Sequence, residues 1–495
     1  SVTANLDLDK IIGTEATVSI QLEGKGQFIP GLAGDVGLGN LGAGVREITG
    51  LIEKARLAGQ DRHSILYELE LRPWLYRATL TQDCRLFQDM SVVEITDAVL
   101  ARYPYPVDKR LAGAFRGAYP KRDVQRQAFE TDWAFLQRLW EEWGIWWWFE
   151  HDGGHHRLVL CDTMSGHHPH GAAYETLRYL PPDGKRIDEE HIHTLSVTSR
   201  LTSGRVTVTD YDYTRPRAKL TVTEADPRDT ASADGEIYGW GDYNQPLAGA
   251  SGLAGEPNDA EREARHLARV QLEATRCAGL RAHGRGNLRG LTVGHTFTLT
   301  GYPQQSANRE YVVVSTTLDI EEVGDRTGTG QTYRTEAQFE LLPANEPFRL
   351  ERSVRKPALA GPEKAIVVGP DGQEVWTDQY GRVKVQFEWD RHGKLDEHSG
   401  IWLRVLSPWQ GNDMGATFMP RIGHEVAVMH YYGDPDLPVI VGSPVNAFRQ
   451  PALDLPANQA VAVIRGREFH GTASGHVAID DTQGQIQTQI ASDAG

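Results

Sequence analysis

The clearest pattern of apolar and polar positions lies in the stretch 380–390. Successive side chains of a strand point to opposite faces, and this period of two divides the residues into an apolar and a polar set. The spacing of a helix does not divide them in this way. One set is apolar and consists of Val383, Val385, Phe387 and Trp389, and the other is polar and consists of Arg382, Lys384, Gln386 and Glu388. The pattern predicts a half-buried strand with its polar side chains turned outward.

Short strands of the same kind follow this one. Alternating apolar residues mark 401–406, 423–432 and 439–441, and the segments between them are rich in Gly, Asp and Pro. About five short strands in roughly 80 residues suffice for a small closed barrel of the OB type. The sequence therefore predicts an OB barrel over residues 363–447.

Apolar residues at helical spacing predict three helices. These cover residues 91–102, 131–143 and the stretch from near Asn258 to Gly279. Ser91 and Glu94 form a capping box, in which each side chain satisfies a backbone N–H of the first turn. Gly144 suits the left-handed position that ends a helix. Together with the many strands, this predicts a mainly β protein with α+β elements.

A β-hairpin is predicted over 145–161, around the turn sequence Asp152-Gly-Gly. Two interpretations remain open for Trp146–Trp148: an aromatic-lined sugar site, or packing in the core. We favour core packing, with an alternating strand that buries half of the tryptophans.

The last predicted strand, Gln485–Ile490, has two very different faces. Ile486, Thr488 and Ile490 lie on one side, and glutamines occupy the other. A lone strand of this kind would leave an adhesive edge in a single chain. Three chains wound together would bury the β-branched face and pair the backbone groups.

Composition narrows the classes of partner. The chain has 495 residues and a formal net charge of −16 at pH 7. A chain of this length predicts several domains. Nucleic acids and anionic membranes attract clustered Lys and Arg, so neither is an expected partner.

Cysteine usage and apolar runs indicate the compartment. Cys84, Cys161 and Cys277 form no C-x-x-C pair, which predicts buried thiols in a reducing environment. No run of about 18 or more apolar residues occurs, and the first residues lack a signal-peptide pattern. We expect a cytoplasmic protein without stable membrane insertion, which a dedicated machine can still export.

Motifs for catalysis are sparse. Gly37, Gly39 and Gly42 form a G-x-G-x-x-G pattern, but a strand at 45–50 rather than a helix follows, so a loop is predicted. No nucleophile elbow or Walker P-loop occurs. The pair Glu189-Glu190 is too ordinary in an acidic chain to indicate acid–base catalysis.

Histidines are the remaining candidates for metal ligands. His424-Glu425 with His430 lacks the helical spacing of a zinc-protease motif, because the two histidines would lie about 20 Å apart on a strand. A second group consists of His151, His155, His156, His167, His168, His170, His191 and His193. We interpret these as solvated hairpin and loop residues, since no ligand spacing stands out. The prediction is a protein that is not an enzyme, without catalytic, cofactor or metal sites.

Four sequence blocks resemble one known family. They are Tyr-Gly-Arg-Val-Lys-Val-Gln-Phe at 380–387, Ser-Pro-Trp at 407–409, Met-Pro-Arg-Ile-Gly-His-Glu-Val at 419–426 and Gly-Asp-Pro-Asp-Leu-Pro-Val-Ile-Val-Gly at 433–442. In order and spacing they closely resemble the OB domain of the VgrG family, the trimeric spike-tip proteins of bacterial type VI secretion systems. That family is itself similar to the hub and spike proteins of contractile phage tails.

The resemblance implies a domain plan. Residues 1–350 would form a phage-hub-like half with two β-barrels and a mixed α/β segment near 91–161, and its first strands look missing. A linker over 351–362 would lead into the OB barrel. Residues 448–495 would form a second linker and the start of a trimeric β-helix.

The resemblance also implies a function and partners. A homotrimer would cap the Hcp tube, help to puncture target membranes, and carry a PAAR-repeat tip protein and effectors on its β-helix, with baseplate proteins as further partners. It would assemble in the cytoplasm and be secreted without a signal peptide into the medium or a target cell. The alternatives are a cell-wall glycan hydrolase or carbohydrate-binding protein, and the hub-spike of a phage tail or tailocin.

Overall fold

The computed structural model describes residues 5–22, 24, 42–60, 65–182, 189–241, 259–322 and 333–493. Gly37 and Gly39 of the glycine-rich motif lie outside these ranges, as does Asn258. The described chain forms an N-terminal region up to Pro343, a barrel, and a small tail sheet.

A three-stranded antiparallel sheet opens the N-terminal region. A short helix α1 (Leu8–Ile11) precedes β1 (Glu15–Leu22), β2 (Gly44–Gln60) and β3 (Ile65–Arg72). β2 lies in the centre of the sheet. The strand predicted at 45–50 is confirmed as the first part of β2.

Two helices and two small sheets follow. The elements are β4 (Gln82–Met90), α2 (Val92–Leu100), β5 (Val107–Arg110), β6 (Arg122–Thr131), α3 (Asp132–Trp143), β7 (Trp146–Asp152) and β8 (His155–Cys161). β4 pairs with β6, and β8 lies between β5 and β7. The predicted caps are confirmed, because Ser91 and Glu94 form the capping box of α2 and Gly144 ends α3 in the left-handed conformation.

The predicted hairpin β7–β8 is confirmed, and its tryptophans belong to the core. Trp146 and Trp148 are 2% and 5% exposed. Trp147, on the other face of β7, lies 5.3 Å from Trp140 of α3, measured between ring centroids. Core packing is therefore supported over a sugar site at this hairpin. The expected alternation is confirmed, because Trp146 and Trp148 are buried whereas Trp147 is only partly buried against α3.

A larger sheet completes the N-terminal region. In chain order the elements are β9 (His168–Pro169), β10 (Thr176–Arg178), β11 (Ile192–Ser199), β12 (Arg205–Thr209), β13 (Val222–Ala225), β14 (Glu236–Trp240), α4 (Ala260–Ala278), β15 (Leu280–Gly286), β16 (His295–Thr300), β17 (Glu310–Glu322) and β18 (Tyr333–Pro343). β10, β16, β17, β18, β15 and β11 are neighbours in that order, with β9 beside β16, and β12 pairs with both β13 and β14.

The third predicted helix is α4, but it begins after Asn258. Its N-cap is Asp259, whose side chain accepts from Arg262 N at 3.1 Å.

The predicted OB barrel is confirmed. It consists of β19 (Glu363–Val368), β20 (Val383–Phe387), β21 (Ile401–Leu403), β24 (Glu425–His430) and β25 (Pro438–Gly442), with the short pair β22 (Gln410–Gly411) and β23 (Met414–Gly415) beside it. The strand order is β21, β20, β19, β24, β25. A parallel bridge between Val405 and Ile440 closes the ring. Sequence reasoning missed β19, because its apolar residues form one short run without alternation.

Three of the four polar residues predicted to face outward around β20 are buried, which corrects that prediction, whereas Glu388 is exposed as predicted. Arg382, Lys384 and Gln386 are 2%, 3% and 6% exposed. Lys384 Nζ donates to Glu397 O at 2.6 Å, and Gln386 Oε1 accepts from Leu395 N at 2.7 Å. The turn after β20 folds back over this face and supplies the partners that buried polar groups require.

The tail is a three-stranded antiparallel sheet rather than a lone strand. It consists of β26 (Val461–Arg467), β27 (Ser474–Asp480) and β28 (Gln487–Ser492), with β27 in the centre. The sequence did not predict β26, because its apolar and polar residues do not alternate.

Residues 344–362, the connecting segment between the N-terminal region and the barrel, form no helix or strand. The three cysteines are buried and unpaired, as predicted. Within the described ranges, no helix has both the length and the apolar character needed to cross a bilayer.

Candidate functional site

Arg126 of β6 lies at the centre of the contact between the N-terminal region and the barrel, which we call the junction. Its guanidinium donates hydrogen bonds to both carboxylate oxygens of Glu363 in β19, at 2.6 and 2.8 Å. The Arg126 backbone N–H donates to Asp436 Oδ1 at 2.7 Å. Arg126 is fully buried and lies 4.1 Å from the ring centroid of Trp389. Because water does not reach the Arg126 side chain, the bidentate pair strongly couples β6 to β19.

The connecting segment is fastened to both sides of the junction. Lys356 Nζ lies 3.0 Å from the Asp434 carboxylate and 2.9 Å from that of Asp436. Burial alone would lower the pKa of Lys356, but these two carboxylates outweigh it and raise the pKa. Glu141 of α3 accepts from Ser353 N and Oγ, at 2.7 and 2.6 Å. A segment with these contacts is a rigid connection and not a free hinge.

A second ion pair joins β6 to the start of the barrel. Arg382 Nε donates to Asp378 Oδ2 at 2.6 Å, and its guanidinium lies 3.9 Å from Asp123 of β6. Burial raises the pKa of Asp123 to about 7, and the positive charge of Arg382 opposes that rise only in part. Asp123 is therefore partly protonated near neutral pH and adds less charge to the junction than its sequence suggests.

The junction extends along β4. Asp83 accepts from Arg102 at 2.9 Å and lies 2.8 Å from Arg391 of the barrel. Burial would raise the pKa of Asp83, but the hydrogen bonds from both arginines lower it to about 2. Gln88 donates to the carbonyl oxygen of Gly400. Side chains from β4, β6 and the connecting segment thus fix the barrel at several separate points.

The tail sheet exposes an apolar face. Ile464, Val477 and Ile490 are direct neighbours across β26, β27 and β28. They are 61%, 43% and 82% exposed. Ile479 and Thr488 pair beside them on the same face. A contiguous exposed row of this kind marks an interaction surface rather than a finished exterior.

The N-terminal sheet β1–β3 also exposes apolar side chains. They are Val18, Val45, Leu57, Leu66 and Leu69, between 43% and 64% exposed. A long sheet with such residues is a second surface suited to contact with another chain.

The histidines selected from the sequence do not assemble into a site. Within the part of the chain that the structure describes, no group of three or more His, Cys, Asp and Glu could hold a metal ion. The expectation that they are solvated is wrong for His156, His170 and His191, which are 2%, 8% and 9% exposed. His156 Nε2 accepts from Trp74 N at 2.8 Å, and His170 Nε2 accepts from Thr292 N at 3.3 Å. These rings are structural because the backbone folds around them.

The remaining candidates are also structural. His430 ends strand β24, as the strand prediction required, and its Nε2 lies 3.5 Å from Glu363. Glu190 accepts from Arg289 Nε at 2.8 Å and from the Tyr174 hydroxyl. Neither arrangement pairs an acid with a base at an open surface.

His156 provides a testable pH dependence. Burial, and secondarily His151 and His155, lower the pKa of His156 to about 4. The imidazole of His156 binds a proton below about pH 6.5 in the unfolded chain but only near pH 4 in the folded protein. Its contribution to the free energy of unfolding is therefore complete above about pH 6.5 and is lost as the pH falls toward 4. We expect a loss of roughly 2 kcal/mol at pH 5 from this residue.

Thermal unfolding at pH 7.5 and pH 5.0 checks the prediction. His156→Gln should reduce the drop in melting temperature from pH 7.5 to pH 5.0, because the amide oxygen of glutamine can accept the hydrogen bond from Trp74 N without titrating. His398→Gln, which removes an exposed imidazole of the barrel, is the control. Equal pH dependence in all three proteins would contradict the assignment.

Sequence reasoning missed the residues that form the junction. β6 is buried on both faces, so its polar residues show no alternation that would reveal them. Arg126 and Glu363 are 237 positions apart in the chain, and no local pattern links them. The available signals were Arg382, in the block at 380–387, and Asp434 and Asp436, in the block at 433–442, because both blocks carry the family resemblance.

Two known families match the chain. Residues 1–324 match the phage tail baseplate hub (GPD) family, and residues 365–444 match the type VI secretion system/phage-baseplate injector OB domain. The second match covers the closed barrel described above.

Several curated proteins are similar over most of the chain. The type VI secretion system spike proteins VgrG1a and VgrG1b of Pseudomonas aeruginosa are 33% and 32% identical over 99% of this chain, which spans 71% and 62% of their lengths. The actin cross-linking toxin VgrG1 of Vibrio cholerae is 30% identical over 90% of this chain, which spans 39% of that toxin.

A solved structure shows the same fold. The E. coli c3393 protein, described as a type VI secretion component structurally similar to the T4 bacteriophage tail proteins gp27 and gp5, aligns with a TM-score of 0.53. The alignment covers 87% of this chain and 94% of c3393 at 17% identity. The mainly β architecture of a phage-hub-like region followed by an OB barrel is thereby confirmed.

Proposed function

Because this chain belongs to the VgrG family of type VI secretion system spike proteins, we propose that three copies form the spike at the tip of such a machine. The match to baseplate hubs covers the N-terminal region, and the match to injector OB domains covers the barrel. In this proposal residues 1–350 are the hub, 351–362 the linker, 363–447 the barrel, and 448–495 a second linker with the start of the β-helix.

The exposed tail face is the observation that carries the trimer. Ile464, Val477 and Ile490 lie in one row, and the described residues of their own chain leave this row exposed. Water-exposed β-branched residues on a sheet are stabilised when a second sheet buries them. Two further copies would cover this row and also pair the free edges of β26 and β28.

The junction supports a mechanical role. A spike must transmit the force of sheath contraction from the hub through the barrel to the tail without bending. The pair of Arg126 with Glu363 and the contacts of Lys356 with its two carboxylates resist relative movement, because separation would leave mostly buried charges without their partners. The proposed role therefore needs stiffness, and it uses no catalytic, cofactor or metal site of this chain.

The partners follow from the two ends of the spike. We propose that the hub end contacts the Hcp tube ring and baseplate proteins, and that the tail end carries a PAAR-repeat tip protein and effectors. The spike would assemble in the cytoplasm and leave with the contracting machine.

The solution mass is the first test. One chain has a mass of 55.0 kDa. Light scattering after size-exclusion chromatography is expected to give three times that mass, because the exposed tail and N-terminal faces are buried in a trimer. A mass of one chain at every protein concentration tested would contradict the proposal.

A further inference from the structure

A cleft of about 540 Å3 lies between the barrel and the sheet of β12, β13 and β14. Trp402 and Arg404 of the barrel line one side together with the turn 431–438, and Tyr213 and Trp240 line the other. The volume falls within the range of small-ligand sites, about 300–1,000 Å3. The cleft is thus large enough for two or more rings of a chain-like ligand.

The cleft coincides with the ligand face of OB barrels. In that fold the second and third strands, with the loop between the fourth and fifth, bind oligonucleotides or oligosaccharides. Here β20 and β21 are the second and third barrel strands, and the turn 431–438 joins β24 to β25. Trp402 lies on β21, and Tyr431 and Tyr432 lie in that loop. The position therefore favours a ligand site over an incidental gap between domains.

Aromatic rings are exposed at the mouth of the cleft. Tyr211, Trp240 and Tyr432 are 51%, 47% and 80% exposed. Tyr432 has φ 57° and ψ 14°, a left-handed conformation that residues with side chains rarely adopt. Strained backbone of this kind concentrates at ligand sites, where the surrounding structure maintains it. With this backbone conformation, the ring of Tyr432 lies exposed to solvent at the edge of the cleft.

The wall behind these rings is preformed. The Arg404 guanidinium lies 4.3 Å from the ring centroid of Tyr213 and 5.7 Å from that of Tyr431. Tyr213 in turn meets the Tyr380 ring edge-on, with centroids 5.4 Å apart. Because these stacked groups span the N-terminal region and the barrel, a ligand would find the site already ordered.

Charge decides between the two ligand classes of the fold. Asp210 and Asp436 line the cleft against the two guanidinium groups of Arg382 and Arg404, and the third acidic residue, Asp123, is partly protonated, so the cleft has no excess of positive charge. A nucleic acid needs an excess of Lys and Arg against its phosphates. Sugar rings instead present apolar C–H faces to aromatic rings and hydroxyl groups to carboxylates and guanidiniums.

We propose that this cleft binds an uncharged oligosaccharide, with Tyr432 and Trp240 stacking on its rings. This is a binding activity beyond the proposed spike function and independent of it. A trimer without sugar affinity and a single chain with sugar affinity are separate results, so failure of one proposal does not overturn the other.

Calorimetric titration of the purified protein with a tetramer of β-1,4-linked N-acetylglucosamine tests the proposal. We expect measurable binding by the unchanged protein and at least tenfold weaker binding by Tyr432→Ala and by Trp240→Ala. Both side chains are exposed, so the variants should keep the solution mass and melting temperature of the parent protein. Tyr432→Phe retains the ring and should retain binding.

Phe448→Ala is the matched control, because Phe448 is an aromatic residue 93% exposed outside the cleft. It should bind the tetramer as the unchanged protein does. The proposal is overturned if the unchanged protein releases no binding heat at saturating sugar, or if both alanine variants bind normally. Binding of a single-stranded oligothymidylate that depends on the same two residues would also overturn it, since it would identify the cleft as a nucleic-acid site.

Discussion

Arg126→Met is expected to destabilise the contact between the N-terminal region and the barrel by about 3–5 kcal/mol. Methionine retains the approximate length of the side chain but leaves the carboxylate of Glu363, only 17% exposed, without its two guanidinium hydrogen bonds. The cation–π contact with Trp389 is lost as well. Urea unfolding should show the barrel separating from the N-terminal region at lower denaturant concentration, as an earlier transition in barrel fluorescence.

Arg56→Met is the matched control for this prediction. Arg56 also pairs with a glutamate, Glu68, but their side chains are 60% and 53% exposed. An exposed pair of this kind contributes about 1 kcal/mol or less to stability, because water replaces the lost partner.

The double variant Arg126→Met with Glu363→Gln should recover part of the lost stability, because it removes the unpaired charge. Equal effects of the Arg56 and Arg126 substitutions would show that the junction is not the rigid connection inferred here.

Ile464→Asp combined with Ile490→Asp is expected to convert the trimer into single chains. The two residues lie on either side of Val477 in the exposed row of the tail sheet. Burial of an isoleucine contributes about 1.5–3 kcal/mol, so two substitutions in each of three chains remove roughly 9 kcal/mol or more. That corresponds to about six powers of ten in the association constant, before the added repulsion between carboxylates is counted.

Light scattering measures this change directly, and the opposite face of the sheet supplies the control. Gln489→Asp and Gln487→Asp add the same charge to β28 at positions that alternate with Thr488 and Ile490. If the tail assembles through its apolar row, the glutamine variants should remain trimeric. Loss of the trimer in both pairs would point to net charge as the cause, and retention in both would place the trimer contact elsewhere, for example on sheet β1–β3.

The sequence by itself determined the elements whose signals are local. Ser91 with Glu94 predicted the start of α2, and Gly144 predicted the end of α3, because a cap depends only on residues within one turn. Alternation predicted β20 and β24, since one apolar face is enough to define a strand. The four spaced blocks of the barrel identified the family, and through it the mainly β architecture.

The tertiary structure alone decided what covers the second face of each element. Arg382 and Lys384 follow the pattern of an outward face, yet a turn and β6 cover them. Trp147 follows the same pattern and is partly covered by α3. Alternation of apolar and polar residues predicts that a strand has two faces. Whether the polar face is also buried depends on the elements that pack against it, which can be far away in sequence. The junction pair of Arg126 and Glu363 arises in this way, because only folding brings β6 and β19 together.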